Sequence, residues 1–161
     1  IDANNDRVII GSTEPKFIAG LTNTFNYKNF ELSFFVYGRF GYLYNSGGMI
    51  GSAQRASMAF DYYTENNTNS AYQKPIYSAG TADPYAVILG YMDGSFLKIR
   101  NISLGYNLTD DLAKKVGVSK MRFYLQAANP GILFSKAKWM DMDTQTTYSN
   151  RGFTLGLHVE F

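Results

Sequence analysis

Few residues in this chain could do covalent or metal chemistry, and their spacing argues against it. His158 is the only histidine, and cysteine is absent. A catalytic imidazole or a metal ligand needs partners, so His158 alone supports neither role. A polar side chain on a strand is the simpler expectation. Asp141 and Asp143 stand two apart, and Asp110 and Asp111 are adjacent. An Asp-x-Asp pair can open a calcium loop, but the glycine and closing glutamate of an EF-hand do not follow. Loop solvation or helix capping is the expectation for these four carboxylates. Glu14, Glu31, Glu65 and Glu160 show no pairing of the kind a glycosidase needs. Neither a Gly-x-Ser-x-Gly elbow nor a phosphate-binding loop occurs. The chain is expected not to be an enzyme and to carry no cofactor or metal.

Binding is better supplied than catalysis. Aromatic residues make up 16% of the chain, with 13 Tyr and 12 Phe, and eight of the 13 Tyr fall within residues 42–94. A tyrosine offers a large flat face and one hydroxyl, which suits a partner surface or stacking on a sugar. Tyr62, Tyr63, Tyr72, Tyr77 and Trp139 are therefore candidates for partner or substrate contact. Packing of a long loop on itself explains such residues as well. A net charge of +2 without a basic run gives no support to nucleic-acid binding.

The elements that must hold these residues are strands. Arg151 to Phe161 puts Phe153, Leu155, Leu157, Val159 and Phe161 on one face and Gly152, Thr154, Gly156, His158 and Glu160 on the other. Its length matches the roughly 9–11 tilted residues a strand needs to cross a bilayer. Four further strands are expected near 16–27, 30–41, 95–108 and 120–129. The first two alternate about a short turn at Lys28-Asn29 and read as a hairpin. In the third, Lys98 and Arg100 occupy the face that later carries Ile102, Leu104 and Tyr106. Either that half lies outside a membrane, or a bulge near Asn101 switches the faces. Thr109 followed by Asp110-Asp111 reads as a helix start and Gly117 as its stop. Asn129-Pro130-Gly131 is expected to end the fourth strand. Residues 42–94 and 130–150 read as long loops, with a short helix possible over Ala53 to Tyr63.

Connections therefore alternate short, long, short, long, as the inner turns and outer loops of an outer-membrane barrel do. No apolar run approaches the roughly 18 residues of a membrane helix. The expected fold is all-β, an antiparallel transmembrane β-barrel. Five strands are odd in number and fewer than the about eight of the smallest barrels. They would leave two raw edges in lipid. The expectation is a C-terminal fragment of one larger barrel domain, whose other strands lie elsewhere. A soluble β-rich glycan-binding module and a passive outer-membrane pore remain open as alternatives.

Several blocks carry a family resemblance. Asp6-Arg7-Val8-Ile9-Ile10-Gly11 through Pro15-Lys16-Phe17, then Gly20-Leu21-Thr22-Asn23-Thr24-Phe25-Asn26-Tyr27-Lys28-Asn29-Phe30-Glu31-Leu32-Ser33, resembles the C-terminal region of SusC/RagA-type TonB-linked outer-membrane transporters. Ser95-Phe96-Leu97-Lys98-Ile99-Arg100-Asn101-Ile102-Ser103-Leu104-Gly105-Tyr106 resembles the family's next block, and Met121-Arg122-Phe123-Tyr124 through Ala128-Asn129-Pro130 the one after. Phe134-Ser135-Lys136-Ala137-Lys138-Trp139-Met140-Asp141 departs from the family, which often has a Thr/Lys/Tyr-rich run leading to Asp-Pro there. The resemblance implies a barrel of about 22 strands with an N-terminal plug, in the outer membrane of a Gram-negative bacterium. It implies a SusD-like surface lipoprotein as a lid, TonB acting on the plug, and glycans or peptides as cargo. The last strand, through Phe153, Leu155, Leu157, Val159 and Phe161, resembles the signal read by the barrel-assembly machinery.

Overall fold

A computed structural model describes residues 5, 8–45, 61–70, 74, 90–146 and 149–161. Five long strands form one antiparallel sheet in the order β1-β2-β5-β6-β7. They are β1 (Phe17–Tyr27), β2 (Phe30–Phe40), β5 (Phe96–Asn107), β6 (Lys120–Ser135) and β7 (Gly152–Glu160). Two short strands, β3 (Leu43–Asn45) and β4 (Tyr91–Asp93), pair beside it. One helix, α1 (Asp110–Lys115), sits in the β5–β6 connection.

Alternation becomes two unlike faces because the register keeps like opposite like. Leu21 stands opposite Val36, Phe34 opposite Ile102, Leu104 opposite Leu125, and Leu125 opposite Leu155. One side of all five strands is therefore apolar. The other side carries Thr22 beside Phe35, Ser33 beside Ser103, and Gln126 beside Thr154. The apolar side is the exposed one: Leu155 is 81% exposed, Phe153 73% and Leu21 55%. In a sheet of a water-soluble protein that face would be covered.

The buried core lies on the opposite side. Phe96, Tyr42, Ala137, Met140 and Met142 cluster there, with Tyr37, Tyr44, Met92 and Trp139 packed against them. The segment 136–146 lies as a strap across the polar face where β2 ends and β5 begins. Its start is tied to β5, since the Lys136 N–H donates to the Ser95 carbonyl at 3.0 Å.

Irregularities in the ladders correct one expected strand limit and set the faces of β5. The fourth strand does not stop at 129 but continues to Ser135, so the connection expected over 130–150 begins later. Asn129 takes a left-handed φ of 51°, and the register jumps from Asn101–Ala128 to Ile99–Gly131. Pro130 lacks an N–H, and a bulge is a place in a ladder where that is tolerated. On the β2 side the register jumps between Phe35 and Val36, leaving Arg100 as the extra residue. The bulge near Asn101 is how Lys98 and Ser103 come to share the polar face. The span 42–94 is also not wholly loop, because β3 and β4 close its base. The helix considered over Ala53 to Tyr63 falls on 53–60, outside the described residues, and 61–63 are not helical.

The short connections meet the remaining expectations. Thr109 is extended and precedes α1, but its side chain makes no capping bond. Its carbonyl accepts from the Leu112 and Ala113 N–H groups instead. Gly117, at φ 79°, ends the helix, and the Val118 N–H donates back to the Ala113 carbonyl at 3.1 Å.

Candidate functional site: an ion-paired strap on the polar face

The candidate site grows from β5. Before its bulge, Lys98 points to the polar face between Tyr37 of β2 and the strap, and it is fully buried. A buried ammonium is costly unless paired. Its Nζ donates to Asp141 Oδ2 at 2.7 Å and lies 3.4 Å from Asp143 Oδ2. Arg100, the bulged residue, makes a fork to Asp143, with Nε to Oδ2 at 2.9 Å and Nη2 to Oδ1 at 2.5 Å. Its guanidinium also stacks 3.8 Å from the centre of the Tyr37 ring.

Asp141 and Asp143 are therefore not solvated loop residues, as their polar setting had suggested. They are the strap's anchors. Within the strap the Asp143 N–H donates to Asp141 Oδ1 at 2.9 Å, and the Gln145 N–H donates to the Asp141 carbonyl at 2.7 Å. This tight turn sets both carboxylates on one side. Burial pushes the Asp141 carboxyl up, but hydrogen bonds from Lys98, the Asp143 N–H and Ser149, with the Lys98 charge, hold it below its ordinary value. Burial likewise raises Asp143, and Arg100 and Lys98 together hold it low. Both are ionised at neutral pH.

Arg39 completes the arrangement. Its Nη2 donates to the Met142 carbonyl, between the two aspartates, at 3.1 Å. Its guanidinium lies 5.3 Å from the Phe96 ring centre and 5.6 Å from that of Tyr42. Its Nε and the Tyr42 hydroxyl are buried without a hydrogen-bond partner. Met140 and Met142 fill the apolar floor around Phe96.

Further along the polar face, Arg122 reaches over Gly105 to Glu31, with Nη2 to Oε1 at 2.6 Å. A Cβ at Gly105 would lie 2.8 Å from Arg122 Nη2, so the bare glycine makes room for that crossing. His158 is also on this face, exposed, with Nε2 3.3 Å from Glu160 Oε1. No group of His, Asp and Glu among the described residues could hold a metal ion.

The candidate contact residues do not converge. Trp139 packs at the edge of the strap's core, whereas Tyr62 and Tyr63 are exposed in a separate turn. Tyr72 and Tyr77 lie outside the described residues. Phe153, Leu155 and Leu157 lie exposed on the apolar face of β7, and Phe161 follows its last residue. What sequence reasoning missed is the union of Lys98 and Arg100 with Asp141 and Asp143. A same-strand pair of cations and a later Asp-x-Asp were both visible, but nothing in their spacing joined them.

No protein-family model matches the chain. It is 26% identical to TonB-dependent receptor P3 of Formosa agariphila over 97% of its own length and 17% of that protein's. It is 28% identical to TonB-dependent receptor P26 of the same organism, over all of this chain and 18% of that one. The chain thus spans under one fifth of the curated relatives it matches. In structure it is similar to the RagAB peptide importer in its open-open state, with a TM-score of 0.66 and 18% identity over 100% of this chain and 19% of that one. A structure of the RagAB peptide transporter gives a TM-score of 0.67 at 20% identity, over 95% of this chain and 18% of that one. These last likenesses establish a shared all-β, antiparallel fold. In sequence, then, the chain is similar to a segment of curated TonB-dependent receptors, and in fold to a part of the RagAB structures.

Proposed function

We propose that the chain is part of the wall of an outer-membrane, TonB-dependent active transporter of a Gram-negative bacterium. The observation that carries this is the uncovered apolar face that runs across β1, β2, β5, β6 and β7, with Phe17, Leu32, Leu104, Phe123 and Leu157 among its exposed residues. Such a face suits lipid, and the opposite polar face suits a water-filled lumen. The free edges of β1 and β7 are then closed by the remaining strands of the same barrel, which also encloses a plug that TonB acts upon. The long connections, at the end opposite the Lys28-Asn29 turn, face outward toward a SusD-like lipoprotein. Tyr62, Tyr63 and Trp139, together with Tyr72 and Tyr77 of the 42–94 span, are assigned partner or cargo contact. The β7 residues Phe153, Leu155, Leu157 and Val159, with Phe161, are assigned to recognition by the barrel-assembly machinery. Similarity to a peptide importer favours peptide over glycan as cargo.

The test is to express the full-length protein, extract it from outer membranes with detergent and ask whether it migrates as a heat-modifiable barrel. Lipids carrying a quencher should then reach fluorophores placed at Leu155 or Phe123 but not at Thr154 or Gln126. Equal quenching from both faces, or a protein that stays soluble without detergent, refutes the reading.

A further inference from the structure

We propose that Lys98, Arg100 and Arg39 form a socket for acidic peptides, and that the chain's own strap, Met140-Asp141-Met142-Asp143, is its built-in occupant. The proposal rests on the reading of the polar face as the wall of a transport passage. Its basis is what the socket already holds. The occupant is a peptide, recognised at its two carboxylates by Lys98 and Arg100 and at the carbonyl between them by Arg39. Its two methionines are buried against Phe96. Three cations face two carboxylates, and among the described residues Arg39 has no acidic partner. The Arg39 Nε and the Tyr42 hydroxyl, both buried donors, are unused by the strap. The socket's parts belong to β2, β5 and the segment between β2 and β3, so they stay in place when the strap leaves. A peptide with carboxylates two residues apart can take the strap's place there, and the strap competes with it.

Competition gives the test its sign. Apparent affinity falls with the fraction of sockets open, so a strap docked about nine-tenths of the time weakens an outside ligand roughly tenfold. The full-length protein, purified as a folded barrel, is titrated calorimetrically with the blocked tetrapeptide Met-Asp-Met-Asp. Changing Asp141→Asn together with Asp143→Asn loosens the strap and is expected to tighten peptide binding at least about tenfold. Adding Arg100→Gln to that variant is expected to remove the gain, and Met-Asn-Met-Asn is expected not to bind. If the double variant does not give a heat-modifiable barrel, replacing 137–145 by a Gly/Ser linker opens the socket by another route. No gain in either opened form, or equal binding of the two tetrapeptides, overturns the proposal. Stronger binding of an oligogalacturonate than of the peptide overturns its assignment to peptides. Failure of the unaltered protein to form a barrel is seen before any titration and overturns the transporter reading instead.

Discussion

Lys98→Met tests the strap's anchorage most directly. Asp141 has one cation in reach, Lys98 at 2.7 Å, and its side chain is 1% exposed. Removing Lys98 leaves that carboxylate buried with only the Asp143 N–H and Ser149 as donors. Breaking a buried pair in this way costs about 3–5 kcal/mol. The cost is capped at the docking energy of the strap, because the strap lifts into water before the sheet gives way. Asp141→Asn should cost less: Lys98 keeps Asp143 at 3.4 Å, and the asparagine can still accept from the Asp143 N–H. Asp143→Asn should cost least, because Lys98 keeps Asp141. Arg100, 38% exposed at the side chain, then turns to water, and exposed charges contribute no more than about 1 kcal/mol.

Hydrogen exchange of peptides covering 136–146 in the full-length protein reads this order. Each 1.4 kcal/mol of lost docking speeds exchange about tenfold, so with a strap docked about nine-tenths of the time Lys98→Met should raise it about tenfold, the full loss of strap protection. Exchange in β6 and β7 should not change. Lys98→Met with Asp141→Leu should recover much of the loss, since a matched apolar pair replaces a buried ion pair at little net cost. Unchanged strap exchange in Lys98→Met would refute the anchorage, and so would an Asp143→Asn effect as large as that of Lys98→Met.

Three further outcomes are expected. The Asp141 and Asp143 carboxyls are lower in the docked strap than their ordinary 3.8, so their stabilisation is complete above about pH 5 and is lost as pH falls below about 4; a spin label at Thr144→Cys should become mobile only on that acid side. Leu155→Arg should destabilise the inserted protein by about 2–4 kcal/mol and Thr154→Arg by much less, read as the folded fraction on unheated gels. Removing Phe161 should slow insertion of the full-length protein into vesicles bearing the assembly machinery while leaving the folded barrel's melting point unchanged.

How much was legible follows from the range of each interaction. Alternation is a property of neighbours on one strand, so the two faces of β1, β2, β6 and β7 could be read directly, although Phe35 stands on the polar face against its hydropathy. Its reason is now visible: Phe35 lies beside Tyr37 and under Arg100. Bulges were half legible. The misplaced cations of β5 pointed either to a half outside a membrane or to a slip near Asn101, and nothing showed that Asn129-Pro130 would supply the opposing irregularity and let β6 continue. The turn chemistry of Asn-Pro-Gly and a bulge demand the same residues, and only the partner strand decides between them.

The site was illegible for a different reason. Lys98 and Asp141 lie 43 residues apart, and no local pattern spans that distance. An Asp-x-Asp in a polar loop looks the same whether water or an ammonium faces it. What separates the two cases is the setting: Ala137, Met140 and Met142 punctuate the same segment, and methionines that flank aspartates have no use for solvent. The unlikeness of Phe134 to Asp141 to the family's usual run falls on this stretch as well. If the strap is a local invention, its anchors belong to the wall and its sequence is free to differ. Replacing 136–146 by the matching segment of TonB-dependent receptor P3 should then abolish strap protection unless the graft brings two carboxylates in the same spacing. Full protection by a graft lacking them would show that the apolar floor, not the ion pairs, holds the strap down.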